Sequence, residues 1–321
     1  MKKTLLALAV SLASVSSAHA VTVYDNNGLT YEVNGDFQVQ LRQKAGEDKD
    51  SDIEFDDLEI KNSVSYELND DMTAFGQMDF DFKGIANDDD GEADLEEAYV
   101  GMAFNNIAVS VGKRPTAGDE FGVEKSIELD EADGDRFDAV ATSGDDVIHV
   151  EADFDTVTLM ASYEMAARGS DKANDSHFDL FALTEINGLE LGAGFQQWNE
   201  ANGDGGNGVD TYGISAAYDF GMFELGADYS SSDSDEETNK LNASQYNLAA
   251  SFAANSDTTV AFGVTDTSYD NSVNEEDFME YYGNITYKFP TQSNVRVFAE
   301  IKNTDLDGSD MGYLAGMRVK F

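Results

Sequence analysis

Residues 115–135, PTAGDEFGVEKSIELDEADGD, place eight carboxylates in one segment: Asp119, Glu120, Glu124, Glu128, Asp130, Glu131, Asp133 and Asp135. Three kinds of chemistry use such groups. Paired carboxylates serve as acid and base at a glycosidic bond. Spaced ones coordinate a divalent cation, and massed ones set up a field that draws cations and repels anions. The first is not diagnostic, because carboxylate pairs recur along the whole chain. Nor does a nucleophile stand beside a base: there is no cysteine, and His149 and His177 lie near no serine–histidine signature. The chain is read as a non-enzyme without a cofactor. For the second, DDDG at 88–91 and DLDG at 305–308 carry only part of a calcium loop's spacing, so no metal site is assigned. Electrostatics is left.

The acid is not confined to that segment. Lys2 and Lys3 fall in the first 20 residues, so the rest of the chain sets 17 basic against 64 acidic side chains, a net charge of −47. Nucleic acid is excluded as a partner, since its binders displace counterions with basic patches. Runs such as Asp88–Asp90 and Asp233–Glu237 read as solvated faces. High net charge also marks disorder, but 11% aromatic residues, placed periodically, are too much organised apolar surface for that.

The elements that must position these groups show a period of two, repeated about sixteen times. In LTYEVNGDFQVQLR the apolar set is Leu29, Tyr31, Val33, Phe37, Val39 and Leu41, with polar residues between. Alternation gives a strand one greasy and one wet face. Short connections such as Asn105-Asn106 and Asn187-Gly188 take turns with long acidic ones such as 45–52, 85–94, 199–208, 231–239, 270–277 and 303–310. In an antiparallel up-and-down meander this puts all short turns at one end and all long loops at the other. An even strand count puts both termini at the short-turn end. A soluble sandwich has no reason for this asymmetry, whereas a transmembrane β-barrel has. About sixteen strands enclose a lumen too wide for side chains to fill, so the wet face lines water.

MKKTLLALAVSLASVSSAHA has the layout of a secretory signal peptide, with a mature chain expected from Val21, so the barrel spans 21–321. The terminal MGYLAGMRVKF alternates through Met311, Tyr313, Ala315, Met317, Val319 and Phe321, with Leu314 the one residue out of step. The last strand must pair with the first, because an open edge cannot sit in lipid. Alternation turns Arg42, Lys61, Arg114 and Arg318 into the lumen, and Phe75, Phe181 and Phe298 can join them without forming a continuous aromatic track. His149 is read as a polar lining group and Trp198 as an anchor at the membrane interface.

Several motifs in order resemble the general porins of Gram-negative outer membranes. VTVYDNNGLTYEVNGDFQVQLR looks like that family's first strand, TAFGQMDFDF like its third, and AYVGM with VSVGKR like its fourth and fifth. Asp119-Glu120-Phe121-Gly122 is similar to the core of the loop that folds into the barrel. Asp135-Arg136-Phe137-Asp138 is similar to the motif opening the sixth strand, and Phe321 to the C-terminal assembly signal. The resemblance covers nearly the whole chain. It implies an all-β sixteen-stranded barrel with loop 115–135 in the lumen, usually a homotrimer, inserted into outer-membrane lipid and lipopolysaccharide by the barrel-assembly machinery. It also implies passive diffusion of small hydrophilic solutes. The family sets loop acids, here Asp119, Glu120 and Glu124, against a basic ladder, to which Arg136 corresponds. Glu59 and Glu96 stand where better-known members carry arginine, so a cation-preferring pore is expected. The alternatives are an adhesive or structural barrel with a closed lumen, and a solute-specific channel.

Overall fold

The computed structural model describes residues 20–46, 49–87, 91–129, 134–166, 175–200, 208–236, 239–270, 273 and 275–321. The expected leader (save Ala20), the run Asp88–Asp90, the loop acids Asp130, Glu131 and Asp133, and Glu237 lie outside them.

Strand β1 (Val21–Asn26) is followed by β2 (Leu29–Gln43), β3 (Asp52–Asn69), β4 (Met72–Asp81), β5 (Asp94–Phe104) and β6 (Ile107–Pro115). Next come β7 (Ser143–Phe154), β8 (Val157–Glu164), β9 (Ser176–Ile186), β10 (Leu189–Asn199), β11 (Gly208–Asp219) and β12 (Phe223–Ser234). The last five are β13 (Ala243–Asn255), β14 (Thr258–Tyr269), β15 (Phe278–Phe289), β16 (Gln292–Thr304) and β17 (Gly312–Lys320). Each strand from β2 onward pairs antiparallel with the next, and β17 returns to β2, from Tyr313 opposite Gln43 to Lys320 opposite Asp36. Sixteen strands thus close a barrel. No helix among the described residues is long and apolar enough to cross a membrane.

Val21–Asn26, read from sequence as the start of the first strand, is instead an extra strand. Asn27 (φ 54°) and Gly28 (φ 78°) adopt positive φ, and the Asn-Gly pair folds β1 back onto β2. Strands β17 and β1 therefore lie end to end along one edge of β2. Between them Gly35 and Phe321 exchange backbone hydrogen bonds of 2.8 and 3.0 Å. The Phe321 ring covers Gly35 and meets Phe37 edge-on, with centroids 5.6 Å apart.

Short turns at 70–71, 105–106, 155–156, 187–188, 220–222, 256–257 and 290–291 gather at the rim where β1 and β17 meet. Asn105, Asp155 and Asn187 take positive φ there, as tight turns between right-twisted strands require. Aromatic residues collect on the same rim: Tyr218, Phe220 and Phe223 pack in a row at 4.5 and 4.4 Å, and Tyr287 meets Phe289 at 5.3 Å. The long connections occupy the opposite rim.

Burial is inverted relative to a water-soluble protein. On the outer face Val100, Ile214 and Leu248 are 67%, 63% and 61% exposed, while inside Gln38, Gln196 and Thr211 are wholly buried. Among the described residues fifty large hydrophobic side chains are exposed. Leaving one in water forfeits about 1.5–3 kcal/mol, so a surface like this is stable only against lipid.

Candidate functional site

Loop 116–142 leaves the sheet after β6 and returns to β7. Its base is closed by Thr116 N–H donating to the Thr142 carbonyl at 2.7 Å. A single 3₁₀ turn, Ala117–Glu120, then gives way to an extended run. The wall holds that run residue by residue. The backbone N–H of Ala117 donates to Ser162 Oγ (2.7 Å), Val123 to Asp228 Oδ2 (2.9 Å), and Lys125 to the Tyr282 hydroxyl (2.6 Å). The N–H groups of Ile127, Glu128 and Leu129 converge on the Glu300 carboxylate at 2.6–3.3 Å, joined by Ser126 Oγ and Asn284 Nδ2. Arg42 Nη1 caps the Glu128 carbonyl at 3.1 Å. These partners sit on β8, β12, β15, β16 and β2, so the segment runs inside the barrel along its inner wall.

Glycines make the track it lies in. An added Cβ at Gly213 would meet the Phe121 ring at 2.5 Å, and one at Gly226 the Val123 side chain at 2.8 Å. One at Gly194 would meet Phe137 at 2.9 Å. Phe121, Phe137 and Phe181 form one buried cluster; Leu129, Phe298 and Leu314 form another at the loop tip. Leu314 falls out of step with its strand because it faces inward and receives the loop. The returning limb turns on Asp135, whose Oδ1 accepts from Phe137 N–H at 2.7 Å. Gln245 and Asn247 bind the Gly134 carbonyl. His149 lies at the loop root, 2.9 Å from Ser162 Oγ.

The basic residues read from alternation do face the lumen, and nearly all are neutralised. Arg42 meets Glu54 at 2.5 Å, and Lys61 meets Asp79 at 2.8 Å and Glu97 at 3.7 Å. Arg318 pairs with Asp36 and, at 2.8 Å, with Asp57. Arg114 lies 4.8 Å over the Tyr99 ring, close enough for a cation–π contact. Arg136 requires correction. It is 5% exposed, its backbone N–H on Ser230 and its Nε on Ser232, so it fastens the returning limb to β12 and does not line open space. Arg296 and Lys320 were missed. Arg296 stands opposite Arg318 across the β16–β17 ladder, and Lys320 lies 2.8 Å from Asp36. Both occupy the polar parity of their strands, which is the signal that finds them.

Asp119 and Glu120 project from the 3₁₀ turn where solvent reaches them, whereas Glu124 is half-buried against the returning limb at Gly134. The enclosing wall displaces bulk water, and Asp138 and Glu120 add repulsion, so the Asp119 carboxyl rises to about 6. Burial also raises Glu120, against the opposing pull of Arg114. At the loop tip Glu128 is pushed up to about 8 by burial and by Asp56 and Asp57 opposite. Asp135, fully buried, is held well above its usual range.

Glu59 and Glu96 both face inward. Glu96 sits in a β-bulge, without a partner in the β4 ladder, beside Glu97, which bonds Gln77. Phe75, Phe181 and Phe298 point inward but are packed separately, against Ala103 and Ala108, under the loop base, and under the loop tip. Trp198 differs from expectation. Leu191, Ala193 and Phe195 take the outer face of β10, which leaves Trp198 on the lumen side with Gln196, between the buried His177 and Val209.

Residues 4–309 match the family of Gram-negative porins. Porin-like protein H of Photobacterium profundum is 28% identical over 340 aligned positions that span all of both chains. OmpD, an outer membrane porin protein of Citrobacter koseri, is 30% identical over 79% of this chain and 63% of its own. In three dimensions, OmpT of Vibrio cholerae in its trimer form superposes with a TM-score of 0.78 at 19% identity, over 92% of this chain and 100% of that one. Salmonella typhi OmpF superposes at 0.70 with 13% identity, over 94% of this chain and 100% of the other. A closed barrel greasy outside and polar inside, with its long loop lying in the lumen, agrees with the sequence match: the chain belongs to the Gram-negative porin family, the β-barrel channels of the outer membrane.

Proposed function

We propose that the barrel is a water-filled, cation-preferring pore for passive diffusion of small hydrophilic solutes, narrowed by loop 116–142. The supporting observation is the charge balance of the lining. Arg42, Lys61 and Arg318 each spend their charge on a carboxylate of a neighbouring strand. Asp119 and Glu120 are exposed; Asp119 has Asp138, Glu120 and Glu97 around it, and Glu120 has Arg114 nearby. A lining with surplus fixed negative charge concentrates cations and repels anions. The protein carries out no catalysis in this reading. The proposal includes signal-peptide removal before Val21, trimer assembly, contact with lipopolysaccharide, and recognition of Phe321 by the assembly machinery, as the resemblance to general porins implies. The trimeric form of the Vibrio cholerae relative supports the oligomer.

Solute flux into liposomes tests the reading. Purified protein should admit small cationic solutes faster than neutral ones of equal size, and neutral ones faster than anionic ones. Equal rates for all three would remove the charge preference. No flux of any of them would favour the closed, adhesive barrel.

A further inference from the structure

We propose that Glu59, Asp79 and Glu96 form a divalent-cation site, best suited to calcium, in the lumen wall. One carboxylate oxygen of each lies within 4.8 Å of the others. Three oxygens no more than 4.8 Å from one another lie within about 2.8 Å of a common point, close to calcium's ligand distance of about 2.3–2.6 Å, so a small side-chain adjustment lets one ion reach all three. Magnesium, at about 2.0–2.1 Å, would need the three oxygens drawn in to about 3.6 Å apart or less. All three donors are hard oxygens with no histidine or cysteine among them, which excludes the softer transition metals.

The second observation is Asp79. It is 1% exposed, gives Oδ2 to Lys61 at 2.8 Å, and its Oδ1 has no hydrogen-bond partner among the described residues. A buried carboxylate oxygen without a partner is costly. Here it belongs to a side chain that has an oxygen within 4.8 Å of an oxygen of each of two further carboxylates. Lys61 is shared between Asp79 and Glu97, and a divalent ion offsets the negative charge that Lys61 leaves uncompensated. The β-bulge at Glu96 brings its side chain onto the lumen face, where alternation around Leu95 and Tyr99 would otherwise leave one glutamate, not two. Glu59 and Glu96 are half-exposed to the lumen, so an ion in transit has access; the inference rests on the hydrated-lumen reading above.

Calorimetric titration of calcium into the detergent-solubilised full chain, in about 0.15 M KCl to screen the exposed loop acids, tests the site. The unmodified protein should show one saturable event per chain, and Glu59→Gln/Glu96→Gln should weaken it at least tenfold or abolish it. Heat-modifiable gel mobility checks that the variant is folded; if it is not, Glu96→Gln alone is read in the same way. An unchanged isotherm in the variant assigns the binding to the loops and overturns the site, as does no saturable heat in the unmodified protein. The pore reading fails separately. Saturable binding lost in the variant, by a barrel that passes no ions in calcium-free KCl, would leave the site standing and the channel refuted.

Discussion

Glu128 and Asp119 give the lumen a charge that depends on pH. A carboxyl with a pKa near 8 is neutral at pH 6 and anionic at pH 9; one near 6 is neutral at pH 5 and anionic by pH 7. Raising the pH from 5 to 9 should increase the potassium-to-chloride permeability ratio in two steps, near 6 and near 8. Glu128→Gln should shrink the upper step and leave the lower. A flat profile would contradict both assignments. Asp119→Asn with Glu120→Gln should lower the ratio several-fold at pH 7.5 with the fold intact. Alternation alone assigned Arg42, Lys61, Arg114 and Arg318 to the polar face, because on a strand the face follows from parity. It also offered Arg296 and Lys320. Arg136, carried over from the family resemblance, lies in a loop where parity has no meaning, and at Trp198 residue type was weighed above a parity that points inward. That Glu96 and Glu97 share the lumen face depends on a bulge, which no residue type announces.

The inward loop is the element that carries the proposed function, and Glu300 is its main fastening. Glu300→Ala leaves three backbone N–H groups without their acceptor, a local cost of about 3–5 kcal/mol. The barrel ladder is untouched, so thermal unfolding should shift little. Single-channel recordings should show larger and noisier conductance; an unchanged trace would show that the loop tip does not narrow the path. Gly213→Leu should act similarly from the other side, by driving a side chain into the position of Phe121. From sequence, Phe121, Val123, Ile127 and Leu129 were visibly apolar in an otherwise acidic loop. Their receivers were not, because the groove is written as single glycines on separate strands, which in one dimension look like turn punctuation. The hairpin of β1 on β2 was similarly hidden, although Asn27-Gly28 is a strong turn signal. The alternation on either side ran through it without a break in parity.

For the whole molecule, inverted polarity makes a prediction that a water-soluble barrel would fail. Ile214, exposed at mid-strand on the outer face, should tolerate Arg poorly: Ile214→Arg should cost about 2–4 kcal/mol when unfolding is followed in lipid vesicles. On a protein surface facing water the same change is nearly neutral. The overall plan was the most legible level, since the alternation of short turns with long loops requires a closed meander and an even strand count. What the lumen does with charge is a sum over pairings that only the closed barrel brings together, such as Arg318 with Asp36, 282 positions apart in the chain. Its most direct test is the zero-current potential of the reconstituted protein across a planar bilayer in a KCl gradient, without divalent ions. Stepwise conductance with a potential of cation sign, potassium passing several times faster than chloride, is the predicted result. A potential of chloride sign, or a bilayer that never conducts, would contradict it.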